Sequence, residues 1–321
     1  MLAKLIENAR PVALHDVYCQ TLLQMMEEDP RIVQIEADLA GAMGSQVIGQ
    51  KFPDRYFNCG IMEGHEVGLG CGMSVNGHIP FVHSFTSFIT RRAADQIFMS
   101  GCYAGANAKL IGTDPGICAE TNGGTHMAFE DVGITRCMAG MTILDVADPV
   151  LLRSALHMMR DTQGMMYLRM RRPGAIPYYA EDNTFEIGKG KILREGTDVS
   201  IIASGVLVVE ALRAAKILEA KGISARVVDM FTIKPIDLDL VRDCAEKTGC
   251  IVTAENHNVI GGLGSAVAEA LAETVPAPMA RIGAQDRVGE VGEFDYLIQA
   301  FHMTAEDIAQ ACEKTIARKK A

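Results

Sequence analysis

Gly60-Ile61-Met62-Glu63-Gly64-His65-Glu66-Val67-Gly68-Leu69-Gly70-Cys71-Gly72-Met73 opens the most informative segment of the chain, which runs on to His126. The spread of Val67, Leu69 and Met73 predicts a helix over 63–75. Glycines at 68, 70 and 72 each cost such a helix roughly 1 kcal/mol relative to alanine. Close approach of another backbone is the usual reason for keeping them. A carboxylate at the helix start complements the helix dipole, so Glu63 alone does not specify catalysis.

Downstream, Ile79-Pro80-Phe81-Val82-His83-Ser84-Phe85-Thr86-Ser87-Phe88 sets Phe85 and Phe88 three residues apart, on one face if the segment is helical. Core packing is the default for such a pair. Glu120-Thr121-Asn122-Gly123-Gly124-Thr125-His126 is a glycine-rich polar loop that runs into an apparent helix. A loop histidine of this kind is by default a structural hydrogen bonder.

Apolar β-type runs alternate with helical patterns on both sides of this segment. Strands are expected at 32–35, 109–112, 141–146 and 166–170, and a helix at 149–160. After the punctuated stretch Arg172-Pro173-Gly174 … Glu181-Asp182-Asn183 the pattern restarts. Strands are expected there at 199–203, 225–229 and 251–254, with helices at 206–220, 238–247 and 263–273. The fold class is α/β: two domains, 1–180 and 185–321, with mostly parallel sheets flanked by helices.

Composition narrows the function classes. The 321 residues are 49% apolar and 22% charged, with a formal net charge of −10. That suits a folded chain and disfavours nucleic acid, whose phosphates call for clustered Lys and Arg. No run is apolar enough to span a membrane, and the N-terminus has no signal-like core. The nine cysteines include no Cys-x-x-Cys pair and share no zinc-like spacing with the eight histidines. Reduced thiols and a cytoplasmic location are the expectation.

Taken together, the motifs resemble the transketolase family over nearly the whole chain. Gly-Ile-x-Glu leading a glycine-rich helix resembles the signature of the family's pyrimidine-binding domain. Ser84–Gln96 resembles its aromatic segment, and Gly124-Thr125-His126 with Glu130-Asp131 its substrate loop. Tyr167-Leu168-Arg169-Met170-Arg171-Arg172-Pro173 resembles the strand that closes that domain. Ser204-Gly205 through Phe231-Thr232-Ile233-Lys234-Pro235 is similar to the family's C-terminal domain, and there His257 reads as structural.

The resemblance implies thiamine diphosphate as cofactor and transfer of a two-carbon ketol unit from a ketose to an aldose. Glu63 matches the carboxyl that donates to the aminopyrimidine, a role requiring burial and a proton. Phe85 and Phe88 match the apolar wall against that ring, and Asp38 falls among the cofactor contacts. His126 matches a catalytic, substrate-contacting histidine. Arg169 matches an arginine gripping the distal phosphate. The family's diphosphate site is a Gly-Asp-Gly motif followed by Asn, and no Gly-Asp-Gly occurs here. A partner subunit of the N-terminal type is therefore implied as the holder of diphosphate and Mg2+ or Ca2+. Self-association through the pyrimidine domain would then give a heterotetramer.

Three departures bear on the substrate. Asn122 stands where Asp is usual, His15 where an early Arg is common, and the loop after Asp38 lacks a serine, although Ser45 is near. They point to an anionic ketose with another distal group, a sulfonate, or to a branched sugar. Rival readings are a 1-deoxyxylulose-5-phosphate synthase-like chain, suggested by Glu63-x-His65, and a 2-oxoacid dehydrogenase E1 β-like subunit. A non-catalytic assembly subunit is a third.

Overall fold

The structure, a computed structural model, describes residues 2–319. The strands of the first half are β1 (Ile32–Glu36), β2 (Tyr56–Asn58), β3 (Ile79–Phe85), β4 (Lys109–Thr113), β5 (Thr142–Val146) and β6 (Met166–Met170). The second half adds β7 (Lys191–Arg194), β8 (Val199–Ala203), β9 (Ala225–Asp229), β10 (Thr232–Lys234), β11 (Ile251–Asn258) and β12 (Met279–Ala284). One sheet has seven strands in the order β10-β5-β6-β4-β3-β1-β2, and the other has five in the order β12-β11-β8-β9-β7. Both are parallel apart from β10 on β5 and β7 on β9.

Every residue of β1, β4, β6, β8 and β9 is buried, as expected of parallel strands covered on both faces. Helix Leu14–Glu28 buries Leu14, Tyr18, Leu22 and Met25 at helical spacing and packs with helix Pro149–Asp161. The latter starts where the Asp148 carboxylate accepts from Val150 N and Leu151 N at 2.8 and 3.1 Å, ahead of a proline at the first turn. Helix Glu63–Val75 lies against β3.

Helices Glu63–Val75 and Leu263–Glu273 and strands 166–170, 199–203 and 225–229 have the expected bounds. Elsewhere the structure departs from expectation. Phe85 and Phe88 do not share a helix face: Phe85 ends β3, and Phe88 begins the π-helical turn Phe88–Arg92. Of the three helix glycines only Gly70 is crowded, since a Cβ there would lie 2.6 Å from Val82 Cγ2, a side chain rather than a backbone. A Cβ on Gly68 or Gly72 would meet nothing within 4 Å.

The segment expected to link the two halves is docked. Tyr178 N and Tyr179 N donate to Asp148 Oδ2 at 2.8 and 3.0 Å, and their hydroxyls donate to Asp229 Oδ2 at 3.0 and 2.9 Å. Thr232–Lys234 then crosses back to extend the first sheet.

Candidate functional site

Parallel strands place their C-terminal ends on one edge, and in α/β sheets that edge carries the ligand crevice. Here the ends of β1, β3, β4 and β6 bring Glu36, Phe85, Thr113 and Met170 to that edge. Glu63 begins its helix with its side chain 1% exposed, and its Oε2 accepts from Arg92 Nη1 at 2.6 Å. The Arg92 guanidinium lies over the Phe88 ring, 4.3 Å from its centre. His126 packs edge-on against both phenylalanines, at 4.9 Å from Phe88 and 5.9 Å from Phe85, which are 6.1 Å apart. Three segments distant in the chain thus form one wall: a buried carboxyl, two phenyl rings and an imidazole.

The turn that carries Phe88 has π-helical hydrogen bonding, a local irregularity common at functional sites. It orients Arg92 toward Glu63 and Arg91 toward the loop. Arg91 Nη1 donates to Glu130 at 2.7 Å, and its Nη2 to Thr125 O at 3.0 Å. Burial, then the positive charge of Arg92, holds the His126 pKa below the usual histidine range. The imidazole is therefore neutral at neutral pH and able to accept a proton.

Behind this wall lies a buried polar network. Glu36 accepts from Ser45 Oγ at 2.5 Å and from Gln34 Nε2 at 3.0 Å, and lies 2.8 Å from His83 Nδ1. His83 Nε2 in turn lies 3.1 Å from Thr113 Oγ1. Glu66, one helical turn after Glu63, is fully buried with neither oxygen hydrogen-bonded. Burial, reinforced by the charges of Glu36 and Glu63, pushes its carboxyl well above the usual range.

On the Phe85 side of the wall Arg172 lies over the ring, 4.9 Å from its centre. Its Nε donates to Asp114 Oδ2 and its Nη1 to Ala42 O, both at 2.6 Å. His15 joins it, with Nδ1 3.2 Å from Arg172 O. Asp38 follows β1 with φ +61° and is tied to Asn58, whose Oδ1 accepts from both Asp38 N and Gly60 N at 3.0 Å. Asn122 is exposed at the end of the turn Gly116–Asn122, in the same loop as His126.

Arg169 does not join them. Its side chain is 1% exposed, with Nε 3.1 Å from Asp131, Nη1 3.8 Å from Asp145, and Nη2 donating to Asn256 O at 2.7 Å. It is the penultimate residue of β6, between β4 and β5, so its charge is spent inside the molecule. Within this basic run the arginine beside the aromatic wall is Arg172, just past the strand end. That distinction was available from the chain: both faces of a central strand are covered, whereas the residue beyond its C-terminus faces the crevice. Arg92, Glu36 and His83 carried no comparable signal. His257 is buried with its pKa pushed down to about 3 by burial, and its Nε2 accepts from Gly133 N at 3.3 Å, a structural contact.

Family models settle the lineage. The transketolase pyrimidine-binding domain matches residues 10–175, and the transketolase C-terminal domain matches residues 188–308. The chain belongs to the transketolase family. It is a transferase-type subunit and is similar to proteins that are themselves separate chains. One is the 6-deoxy-6-sulfo-D-fructose transketolase subunit SqwH of Clostridium sp. (strain MSTE9), 45% identical over 306 residues that cover 95% of each chain. Another is an apulose-4-phosphate transketolase subunit of Phocaeicola vulgatus, 34% identical over 277 residues, 86% of this chain and 88% of that one. Among solved structures, a split gene transketolase described as an inactive beta4 tetramer superposes with TM-score 0.88 and 38% identity. The match covers 96% of this transketolase-family chain and 99% of that one.

The family implies thiamine diphosphate, and the residues present fit its aminopyrimidine end. A buried carboxyl beside two phenyl rings offers one hydrogen-bonding group within an apolar wall. Next to it Glu66 is buried with neither oxygen hydrogen-bonded, and burial pushes its carboxyl well above the usual range.

Proposed function

We propose that this chain supplies the pyrimidine side of a thiamine-diphosphate-dependent transketolase, which moves a two-carbon ketol unit from an anionic ketose to an aldose. The observation that carries the proposal is the wall of Glu63, Phe85, Phe88 and His126, assembled from three separate segments. A second chain holds the diphosphate and its Mg2+ or Ca2+. Thiamine diphosphate, when bound, supplies the electron sink for breaking the bond beside the ketose carbonyl.

Each residue of this chain then has a defined task. Glu63 exchanges Arg92 for the pyrimidine nitrogen and holds the proton there. Phe85 and Phe88 exclude water, which strengthens that hydrogen bond. His126, neutral and edge-on to both rings, moves protons at the substrate oxygens. Arg172 and His15 face the distal end of the substrate. Asp38 and Asn122 stand at the rim as contacts to cofactor and substrate respectively.

The exposed apolar side chains Ile61, Met62, Val75, Phe98, Met99 and Tyr103 lie on or beside helix Glu63–Val75 and on the π-helical segment Ile97–Tyr103 packed against it. With the open Gly68 and Gly72 they form the face through which two copies associate, giving a heterotetramer with the partner. The free cysteines suit a cytoplasmic location.

A ketose with a sulfonate in place of the distal phosphate is the favoured donor. His15 and Asn122 replace residues usual for phosphate sugars, and the relative named for a sulfofructose is similar over almost its full length. The test is co-expression with a chain carrying Gly-Asp-Gly…Asn, followed by ketol-transfer assays on a donor panel. Activity in the pair, absent from either chain alone, supports the reading. A pair that binds cofactor and transfers from no ketose overturns it, and preference for xylulose 5-phosphate overturns the sulfonate assignment alone.

A further inference from the structure

The loop that carries Asn122 and His126 is built into the second half of the chain. Asn256, in β11, is 2% exposed; its Oδ1 accepts from Ile117 N at 3.0 Å and its Nδ2 donates to Pro115 O at 2.8 Å. Gly116 has φ +49°, and a Cβ there would fall 2.2 Å from Asn256 Oδ1. Two residues beyond Asn256, Asn258 N donates to Phe129 O at 2.9 Å. Both ends of segment 115–129 are thus bonded to one strand of the other sheet.

The middle of the loop meets segment 286–292. A Cβ on Gly124 would lie 2.5 Å from Gly289 O, and one on Gly289 would lie 2.5 Å from Met127 Sδ and 2.9 Å from Gly124 Cα. Gly123, at φ +77°, leaves 2.9 Å between such an atom and Val291 Cγ2. Glu63, Phe85 and Phe88, by contrast, are carried by a helix, a strand and a turn of the first half.

We propose that the second domain positions the substrate side of the site: Asn256 and Gly289 are positioning residues that set where His126 stands against Phe85 and Phe88. The kinetic part of this inference rests on the proposed transketolase reading. The structural part does not. Asn256 replaces water at two backbone groups of a tight turn, and the glycine contact leaves the loop no room to retreat.

The test combines amide hydrogen exchange on the chain with kinetics of the assembled pair. Asn256→Ala is expected to lose protection over residues 115–127 while helix Glu63–Val75 keeps its own. In the pair, kcat/KM for the donor should fall roughly 10–100-fold, the scale of a misplaced reacting group, with cofactor affinity unchanged. Asn256→Asp keeps the acceptor for Ile117 N and should fall between wild type and Ala. Gly289→Ala removes no hydrogen bond and should move the same two readouts, which keeps the proposal testable if Asn256→Ala fails to fold. Unchanged loop exchange, or cofactor affinity and kcat/KM falling together with global protection, overturns the proposal. Glu63→Gln serves as the control. If the wild-type pair transfers no ketol unit, the transketolase reading fails, while loop exchange still decides the positioning role.

Discussion

Glu63 and Arg92 meet at 2.6 Å beside the Phe88 ring, the carboxyl 1% exposed and the guanidinium 49%. Arg92 is half-exposed, whereas Glu63 is fixed at the start of its helix, so under the proposed function the arginine is the group that would give way to the cofactor. Glu63→Gln keeps an oxygen for Arg92 and nearly the same shape. It should leave Tm almost unchanged and lower kcat of the assembled enzyme by roughly 10²–10⁴-fold, the usual weight of a positioned acid–base group. A thermal melt beside a progress curve checks both parts.

His126 offers a pH handle. Burial, then Arg92, depresses its pKa, so it stays neutral to a lower pH than a free histidine at about 6.5. Arg92→Gln removes one positive neighbour and should move the His126 titration up, with the acid limb of kcat/KM following. Histidine Cε1–H chemical shifts against pH, in wild type and variant, measure the direction without turnover.

Arg169 is a stability residue. Arg169→Ala leaves Asp131 and Asp145 buried without their shared cation, which should destabilise the chain by about 3–5 kcal/mol. Denaturant unfolding should show the loss. The fraction of protein that remains folded should retain the donor KM, the opposite of what a substrate-gripping arginine would give.

Glu66 should make the chain less stable as pH rises. Its folded-state pKa is raised, mainly by burial and then by Glu36 and Glu63, so the folded chain keeps a proton that the unfolded chain gives up near the ordinary carboxyl value. The stability linked to that proton is complete below the unfolded pKa and declines as pH climbs through the folded one. Glu66→Gln has no proton to lose, so its Tm advantage over wild type should widen steadily from about pH 4.5 upward. Parallel Tm-versus-pH curves would count against the buried-acid account.

Much of the architecture could be read in the chain because period and punctuation are local. The bounds of Glu63–Val75, Met166–Met170 and Leu263–Glu273 follow from apolar spacing alone. The turn Phe88–Arg92 follows a five-residue hydrogen-bond repeat that no apolar periodicity announces, so the pairing of Arg92 with Glu63 was invisible. Arg169 and Arg172 are three residues apart in one basic run, and only their place relative to the strand end separates a buried counter-ion from a crevice residue. The contact of Gly124 with Gly289 joins positions 165 apart and could come only from the fold.

Strand β10 lends the first sheet an edge from the second half: Thr232 pairs with Leu144, and Phe231 O accepts from Asp145 N at 2.8 Å. A polypeptide ended near residue 180 would leave β5 as a bare edge, a template for unwanted strand pairing and aggregation. The two halves, separable as family modules, are therefore inseparable as a folded product. A cut after Lys234 fares no better, because it strips β11 and β12 from the buried strand β8 and takes Asn256 away from the 115–129 loop.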